Sequence, residues 1–450
     1  MSEKSPPPQD ASVKLPIFSP NEIKHFRFTP EQYILLEMEY NRYTIYKDLV
    51  KSIENLFKIH TTEKECITRK IYENKNIIER FVLECINHGL SPNTIKLYPE
   101  SGEQKETLIS IKSITIESVD IELVRKYLFF NKDLSNEVVM KDTPYFKKMI
   151  SEYIEKKFRY TPDKAQQLLK ILSAANYKFM RGVQELYSNQ KKPGYFSSIN
   201  CNLLVSDSEN YIITYRGYSK VINFKRYARL ILNYDRPFPF DIIRMLLRYA
   251  LFDMSNQQWS IGITLYDEIS AQLDIGFEMF ASPLNFNMNM FCSLFLDTDK
   301  TFGSVGSFYN ITVDKLLNLG LRGVFYNPPY LPLLMSATTR MCIQLLDKMR
   351  ELAIDFTVVS FLPNWADATY IQDFLASRYT VFHQMIPKGQ YVLHEKDRGK
   401  LLKGTFDLLF IVMNSRQVDW DDSRRCGILE VCGNIIKSMK RELLEKNIDK

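Results

Sequence analysis

The chain is poor in the residues that build metal centres and disulfide frameworks. Its 450 residues include seven cysteines and five histidines. The cysteines (Cys66, Cys85, Cys201, Cys292, Cys342, Cys426, Cys432) form no Cys-x-x-Cys pair, and no two histidines stand at His-x-x-x-His spacing. Scattered thiols of this kind suggest a reduced, intracellular setting, and no metal site is expected. Long apolar runs are missing as well. Nothing approaches the ~20 residues of a membrane span, and no signal-peptide pattern opens the sequence, so no membrane partner is expected. Tryptophan is scarce and late: Trp259, Trp365 and Trp420. Charge of either sign is nearly balanced at +6, which permits a nucleic-acid partner without establishing one.

What remains is the composition of a folded α/β protein with two or three domains. Residues 1–20, with Ser5-Pro6-Pro7-Pro8 and little apolar content, read as a disordered arm. Residues 21–195 read as a mainly helical domain, because stretches such as Glu31–Glu37 and Ala165–Leu172 carry apolar side chains at helical spacing. A β-like piece from Thr107 to Ile116 interrupts it. Lys191-Lys192-Pro193-Gly194 breaks the pattern. Residues 196–430 then read as an α/β domain. Its expected strands are Cys201–Val205, Tyr211–Tyr215, Gly276–Ala281, Gly323–Tyr326, Phe356–Leu362 and Phe406–Met413. Helices at Pro239–Phe252 and Leu333–Leu352 fall among them, the alternation of a parallel sheet. Residues 431–450 read as a basic helical tail.

The most informative segment is Asn327-Pro328-Pro329-Tyr330, directly after the apolar strand that begins at Gly323. Methylating an exocyclic amine on a planar base is difficult because the amine's lone pair is delocalised into the ring. Two acceptors aimed at its N–H groups draw it toward pyramidal geometry, and fixed dipoles that act in the transition state do this efficiently. The Asn327 side-chain oxygen and the Pro328 carbonyl suit that role. Pro328 and Pro329 restrict the backbone, and Tyr330 offers a face for base stacking. A proline turn ending a buried strand is the competing reading. Position favours chemistry, since open α/β sheets bind ligands at the carboxyl ends of their strands.

A second segment, Gly276–Asn285, reads as a strand ending in a tight turn, with Pro283 placed to begin a helix. Such a helix start would attract a carboxylate like that of S-adenosylmethionine, and Glu278 would take the amino group or a ribose hydroxyl. Downstream, Asp297 or Asp299 would hold ribose hydroxyls, with a solvated Asp-Thr-Asp turn as the alternative. The stretch from Lys220 to Arg229 interleaves basic and aromatic residues, which suits RNA. Lys225, Arg226 and Arg229 are its candidate contacts, with Lys388 on a later loop; a solvated helix face is the other reading. His394 is set aside as a base, because the amine's proton can pass to solvent.

Glu278-Met279-Phe280-Ala281-Ser282-Pro283-Leu284-Asn285, then Asp297-Thr298-Asp299 with Phe302-Gly303-Ser304, then Asn327–Tyr330, together resemble the phosphorylated-CTD-interacting-factor family. Phe361–Trp365 and the segment from His383 through Lys388-Gly389-Gln390 add to the likeness. It covers roughly residues 240–420. The resemblance implies a Rossmann-like S-adenosylmethionine-dependent methyltransferase core with an N-terminal mainly helical domain. It implies an RNA cap adenosine N6-methyltransferase acting on the cap-adjacent adenosine of mRNA, in the nucleus, or in the cytoplasm were the chain viral. It also assigns Phe280, Ala281, Ser282, Pro283 and Asn285, with Glu278, Asp297 and Asp299, to the cofactor. Two departures stand out. The paired tryptophans of an N-terminal WW domain have no counterpart here, so polymerase-tail binding by that route is not expected. Tyr330 replaces the family's usual Phe, an exchange that preserves stacking. An adenine methyltransferase acting on DNA or internal RNA, and a catalytically inactive RNA-binding relative, are the alternatives.

Overall fold

The structure is a computed structural model. It describes residues 23–58, 106–109, 138–141, single positions between 167 and 199, and then 201–205, 210–232, 239–250, 259–330, 332–365, 369–395 and 399–445. The arm expected at 1–20 and much of the expected helical domain lie outside these residues.

After a short strand at Ile23–His25, a helix spans Pro30–Lys58. Its start is a capping box. Thr29 Oγ1 accepts from the Gln32 N–H, and Gln32 Oε1 accepts from the Thr29 N–H, with Pro30 at the first helical position where its missing N–H costs nothing. Tyr33, Leu36, Met38, Ile45 and Leu49 are buried along it. A small antiparallel sheet follows, formed by Ile23–His25, Cys201–Val205, Asn210–Tyr215 and Tyr218–Asn223. The last of these strands was not anticipated. Its alternation of buried and exposed residues is masked in sequence by the charged Lys220, which is itself buried. Helices at Phe224–Leu232 and Pro239–Tyr249 lead into the main body.

The main body is α/β, built on a mixed six-stranded sheet. Its strands in chain order are β1 (Phe277–Glu278), β2 (Met290–Phe291), β3 (Gly323–Phe325), β4 (Thr357–Pro363), β5 (Thr380–Ile386) and β6 (Leu408–Asn414). In space they run β5-β6-β4-β3-β1-β2. Strands β2, β1, β3 and β4 are mutually parallel, and β6 lies antiparallel between β4 and β5. The near-continuous apolar run of β6 is buried at all seven positions, as a strand covered on both faces requires. Its side chains alternate between two cores. Leu409, Ile411 and Met413 join the one that includes the Pro332–Glu351 helix residues Met335, Cys342 and Leu346. Leu408, Phe410 and Val412 join the one built from the helices Ile263–Leu273 and Asp422–Glu445. The helix that the sequence places after Val431 thus begins at Asp422 and buries Cys432, Ile435, Ile436 and Met439; it is part of the core.

The chain visits β1 and β2, then returns to the other side of β1 for β3 and β4. The reversal leaves a crevice at the carboxyl ends of β1 and β3, the switch point where open α/β sheets bind ligands. Among the described residues, no helix is long and apolar enough to cross a membrane, and no group of three or more His, Cys, Asp or Glu is placed to hold a metal ion.

Candidate active site

A pocket opens at that crevice. Its walls include Glu278, Met279, Phe280, Ala281, Ser282 and Asn285 from the segment after β1, and Asn327, Pro328, Pro329 and Tyr330 from the segment after β3. Two motifs far apart in sequence therefore face one space. The backbone leaving β1 is pinned on both sides: the Met279 N–H donates to the Phe325 carbonyl at 2.8 Å, and the Ala281 N–H to the Cys292 carbonyl at 2.9 Å.

The Asn-Pro-Pro-Tyr segment is held with equal care. Tyr326 donates its N–H to the Val359 carbonyl at 2.8 Å, and its carbonyl accepts from Ser360 Oγ at 2.6 Å. The buried Tyr326 hydroxyl meets Thr338 and Thr339. The chain is thus fixed up to the residue before Asn327. Tyr330 is half-buried, with its ring edge-on to Phe406 at 5.6 Å. Its hydroxyl lies 3.4 Å from Asn327 Oδ1 and 3.3 Å from the Phe361 carbonyl. An amide oxygen has two lone pairs, so Asn327 Oδ1 keeps capacity for a further donor beside this hydroxyl. Burial, with Tyr391 and Tyr370 nearby, pushes the Tyr330 hydroxyl well above the ordinary tyrosine range, so it remains a neutral donor.

After Glu278 the structure departs from expectation. No helix begins at Pro283. Residues 283–285 form a turn, closed by side chains: Asn285 Oδ1 accepts from the Ser282 N–H at 2.7 Å and from Ser282 Oγ at 3.1 Å. Ser282 Oγ in turn accepts from the Leu284 N–H. Asn and Ser side chains compete with helical bonding in this way, and here they win. Glu278 itself is buried. Its Oε2 accepts from the backbone N–H groups of Asn287 and Met288 at 2.7 and 3.0 Å, while Asn287 Nδ2 reaches Oε1 at 3.4 Å. Burial raises its proton affinity, and the two N–H bonds oppose that rise. Bonds from N–H groups to a carboxylate are of the stronger class, which is how a carboxylate is tolerated in this wall.

Asp297 and Asp299 do not line the pocket. Asp297 pairs with Arg244 at 2.7 Å and Arg248 at 3.0 Å. Arg248 also grips Glu39 of the Pro30–Lys58 helix at 2.5 Å. Asp299 is fully buried one layer behind the pocket, where its Oδ2 accepts from the Tyr249 hydroxyl at 2.6 Å and its Oδ1 from Thr298 Oγ1 at 2.8 Å. Burial raises it to about 6. Tyr249 and Ser293 are the wall residues in front of it.

The basic stretch turns inward. Arg226 is buried, donates to the Phe286 carbonyl at 2.9 Å and lies over the Phe286 ring at 5.1 Å. Arg229 donates to the Asn287 carbonyl and lies over the same ring at 5.5 Å. The expectation that both face RNA fails on this geometry, because their donors are directed at carbonyls of the loop behind Glu278. Lys225 and Lys388 are exposed. His394 pairs with Glu442 at 2.9 Å; it lies opposite the wall residue Ser260 in a strand pair and is not itself part of the pocket lining.

Sequence reading missed Trp259, Tyr266, Phe308 and Tyr309 as pocket walls. Phe308 stacks at a tilt on Phe280, with centroids 4.6 Å apart. The adjacent aromatic pair Phe308-Tyr309, one short helix before the strand that leads to Asn-Pro-Pro-Tyr, offered the clearest signal.

Comparison with known proteins supplies an independent line. The family described as "Phosphorylated CTD interacting factor 1 WW domain" matches residues 223–396. Despite that description, the matched stretch holds β1 to β5 and both pocket motifs. Two curated proteins, from Mus musculus and Homo sapiens, are each 30% identical to this chain over 125 residues, which is 28% of this chain and 16% of each relative. Both carry the name "mRNA (2'-O-methyladenosine-N(6)-)-methyltransferase".

Proposed function

From the match of residues 223–396 to the phosphorylated-CTD-interacting-factor family and the likeness to its methyltransferases, we propose that the chain is a member and transfers a methyl group from S-adenosylmethionine to the exocyclic N6 amine of an adenosine at the capped 5′ end of mRNA. The observation that carries this reading is the meeting of Asn327–Tyr330 with Glu278–Asn285 in one pocket at the sheet's switch point. The fold is then read as a Rossmann-like methyltransferase core.

The wall chemistry fits the cofactor. Phe280 and Phe308 supply faces for an adenine, Ser282, Ser293, Ser307 and Asn285 supply hydroxyl and amide groups for ribose and amino-acid tail, and Glu278 supplies the carboxylate for an ammonium or a ribose hydroxyl. When bound, S-adenosylmethionine brings an electrophilic methyl on a sulfonium centre. The protein's part falls to its own residues. Asn327 Oδ1 and the Pro328 carbonyl accept the two amine N–H groups, which localises the nitrogen lone pair. The Tyr330 ring holds the base, in a contact worth roughly 1–3 kcal/mol. The pinned backbone on either side of the pocket keeps these acceptors from drifting, and it is this placement that makes fixed dipoles effective. The amine proton leaves to water.

Asp297 and Asp299 act here through structure, and Lys225 and Lys388 are the exposed cations left for RNA phosphates. The test is methyl incorporation by the purified protein with capped and uncapped RNAs that begin with A or G. Incorporation is expected only with capped RNA beginning with A. Equal labelling of uncapped or internal adenosine would replace the cap reading with the internal-adenine one.

A further inference from the structure

The loop Phe286–Met288 is bonded on both sides. On one side its Asn287 and Met288 N–H groups donate to Glu278 Oε2 at 2.7 and 3.0 Å. On the other side its carbonyls are taken by arginines of the Phe224–Leu232 helix: Arg226 at the Phe286 carbonyl, 2.9 Å, and Arg229 at the Asn287 carbonyl. The Phe286 ring lies beneath both guanidiniums and stacks on Phe291 of β2, with centroids 5.0 Å apart. Loop, strand and helix thus form one unit around a single carboxylate.

We infer that Arg226 and Arg229 are positioning residues for the methyl-donor pocket: by holding the Phe286 and Asn287 carbonyls they aim the next N–H groups at Glu278 and so fix its carboxylate in the pocket wall. The physical reason is the polarity of the peptide unit. A cationic donor at the carbonyl of Asn287 polarises that peptide, and the Met288 N–H at its other end becomes a better donor to the carboxylate, since chains of hydrogen bonds strengthen one another in a low-dielectric interior. The same cation offsets part of the burial of Glu278: burial raises the carboxyl's proton affinity and lowers that of Arg229, and the attraction between the two charges opposes both shifts. A buried carboxylate without such help would keep its proton or leave the wall. Supports of this outer kind decide how well a contact group holds its ligand.

The inference rests on the reading of Glu278 as a cofactor contact, and the experiment separates the two. S-adenosylmethionine affinity is measured by calorimetry, and RNA affinity by salt titration, for the full chain and for Arg229→Gln, Arg229→Lys and Glu278→Gln. Arg229→Gln is expected to weaken S-adenosylmethionine binding about tenfold, the factor produced by ~1.4 kcal/mol. Arg229→Lys keeps the charge and one donor, and should recover most of that loss. The slope of RNA affinity against salt should be the same in all three variants. If Arg229→Gln does not fold, Arg229→Lys carries the test, with a cofactor affinity about threefold below the parent. Parent-like cofactor affinity in the Arg229 variants, with Glu278→Gln impaired, overturns the positioning role. A salt slope reduced by about one in the Arg229 variants makes Arg229 a phosphate contact and overturns it equally. If Glu278→Gln itself binds S-adenosylmethionine like the parent, the cofactor reading of Glu278 falls, and the inference falls with it.

Discussion

Replacing Glu39 by alanine is expected to be among the most damaging single changes outside the pocket. Glu39 and Arg248 have no exposed side-chain surface, and Glu39 accepts from Arg248 Nη2 at 2.5 Å and Nε at 2.8 Å while Arg42 closes a third side. Burial lowers Arg42 only to about 10, so both arginines are cations at neutral pH. Alanine would leave two buried guanidiniums without the carboxylate between them. Asp297, at 36% exposed, is screened and offsets only part of the cost. Loss of one partner from a buried charge cluster costs about 3–5 kcal/mol. Urea unfolding at pH 7 measures this as a lowered midpoint at unchanged slope. A pH series adds a second arm. Burial alone would raise the Glu39 carboxyl, but Arg248 and Arg42 overcome it and bring it to about 2, below the ordinary 4.5. The unfolded chain then binds the proton more readily, so the stabilisation is complete above about 4.5 and is lost as pH falls through about 2. The variant should lack that acid-side loss. A penalty under about 1 kcal/mol, the level of an exposed pair, would refute the reasoning.

Asn327→Ala should reduce turnover by at least about 10²-fold while calorimetry finds S-adenosylmethionine binding near the parent's; near-normal methyl incorporation would remove Asn327 from the reaction. Asp299→Asn tests a shift of the opposite sense. Burial raises this carboxyl from 3.8 to about 6, so the folded state holds the proton more tightly and stability falls as pH rises from about 4 to 6; denaturant midpoints of the variant should fall less steeply than the parent's across that window. Gly303 sits at φ +97°, and an added Cβ would lie 2.2 Å from the Asn289 carbonyl oxygen. Gly303→Ala is therefore expected to cost about 1–3 kcal/mol, and an unchanged urea midpoint would show that this loop does not press on β2.

The parts of this molecule that sequence made legible are those whose signals are local. The apolar runs of β3, β4 and β6 announce strands buried on two faces, and the place of Asn327–Tyr330 at the carboxyl end of β3, in the pocket wall, follows from the strand before it. The parts that stayed hidden depend on partners far along the chain. Arg226 and Arg229 look like a basic helix face until Phe286, about sixty positions on, supplies a carbonyl and a ring to receive them. Asp297 and Asp299 read as ribose ligands until Arg248 and Tyr249 claim them from a helix that precedes the cofactor turn. The turn after Ser282 was misjudged for a different reason. Pro283 permits a helix start, but the Asn285 side chain takes the Ser282 N–H, and propensity gave no measure of which bond would prevail.

The place of β6 has a consequence for how the molecule comes into being. It is the last strand of the sheet in chain order, yet it sits inside the sheet, bonded to β4 on one side and β5 on the other. On a ribosome, both pocket motifs emerge well before Leu408 does. Until then β4 presents an open apolar flank, and β5 has no neighbour within the sheet. An unpaired strand of this kind invites pairing with other chains. The nascent protein therefore carries both finished pocket motifs on an unfinished frame, and the closing of that frame waits on one late hydrophobic segment.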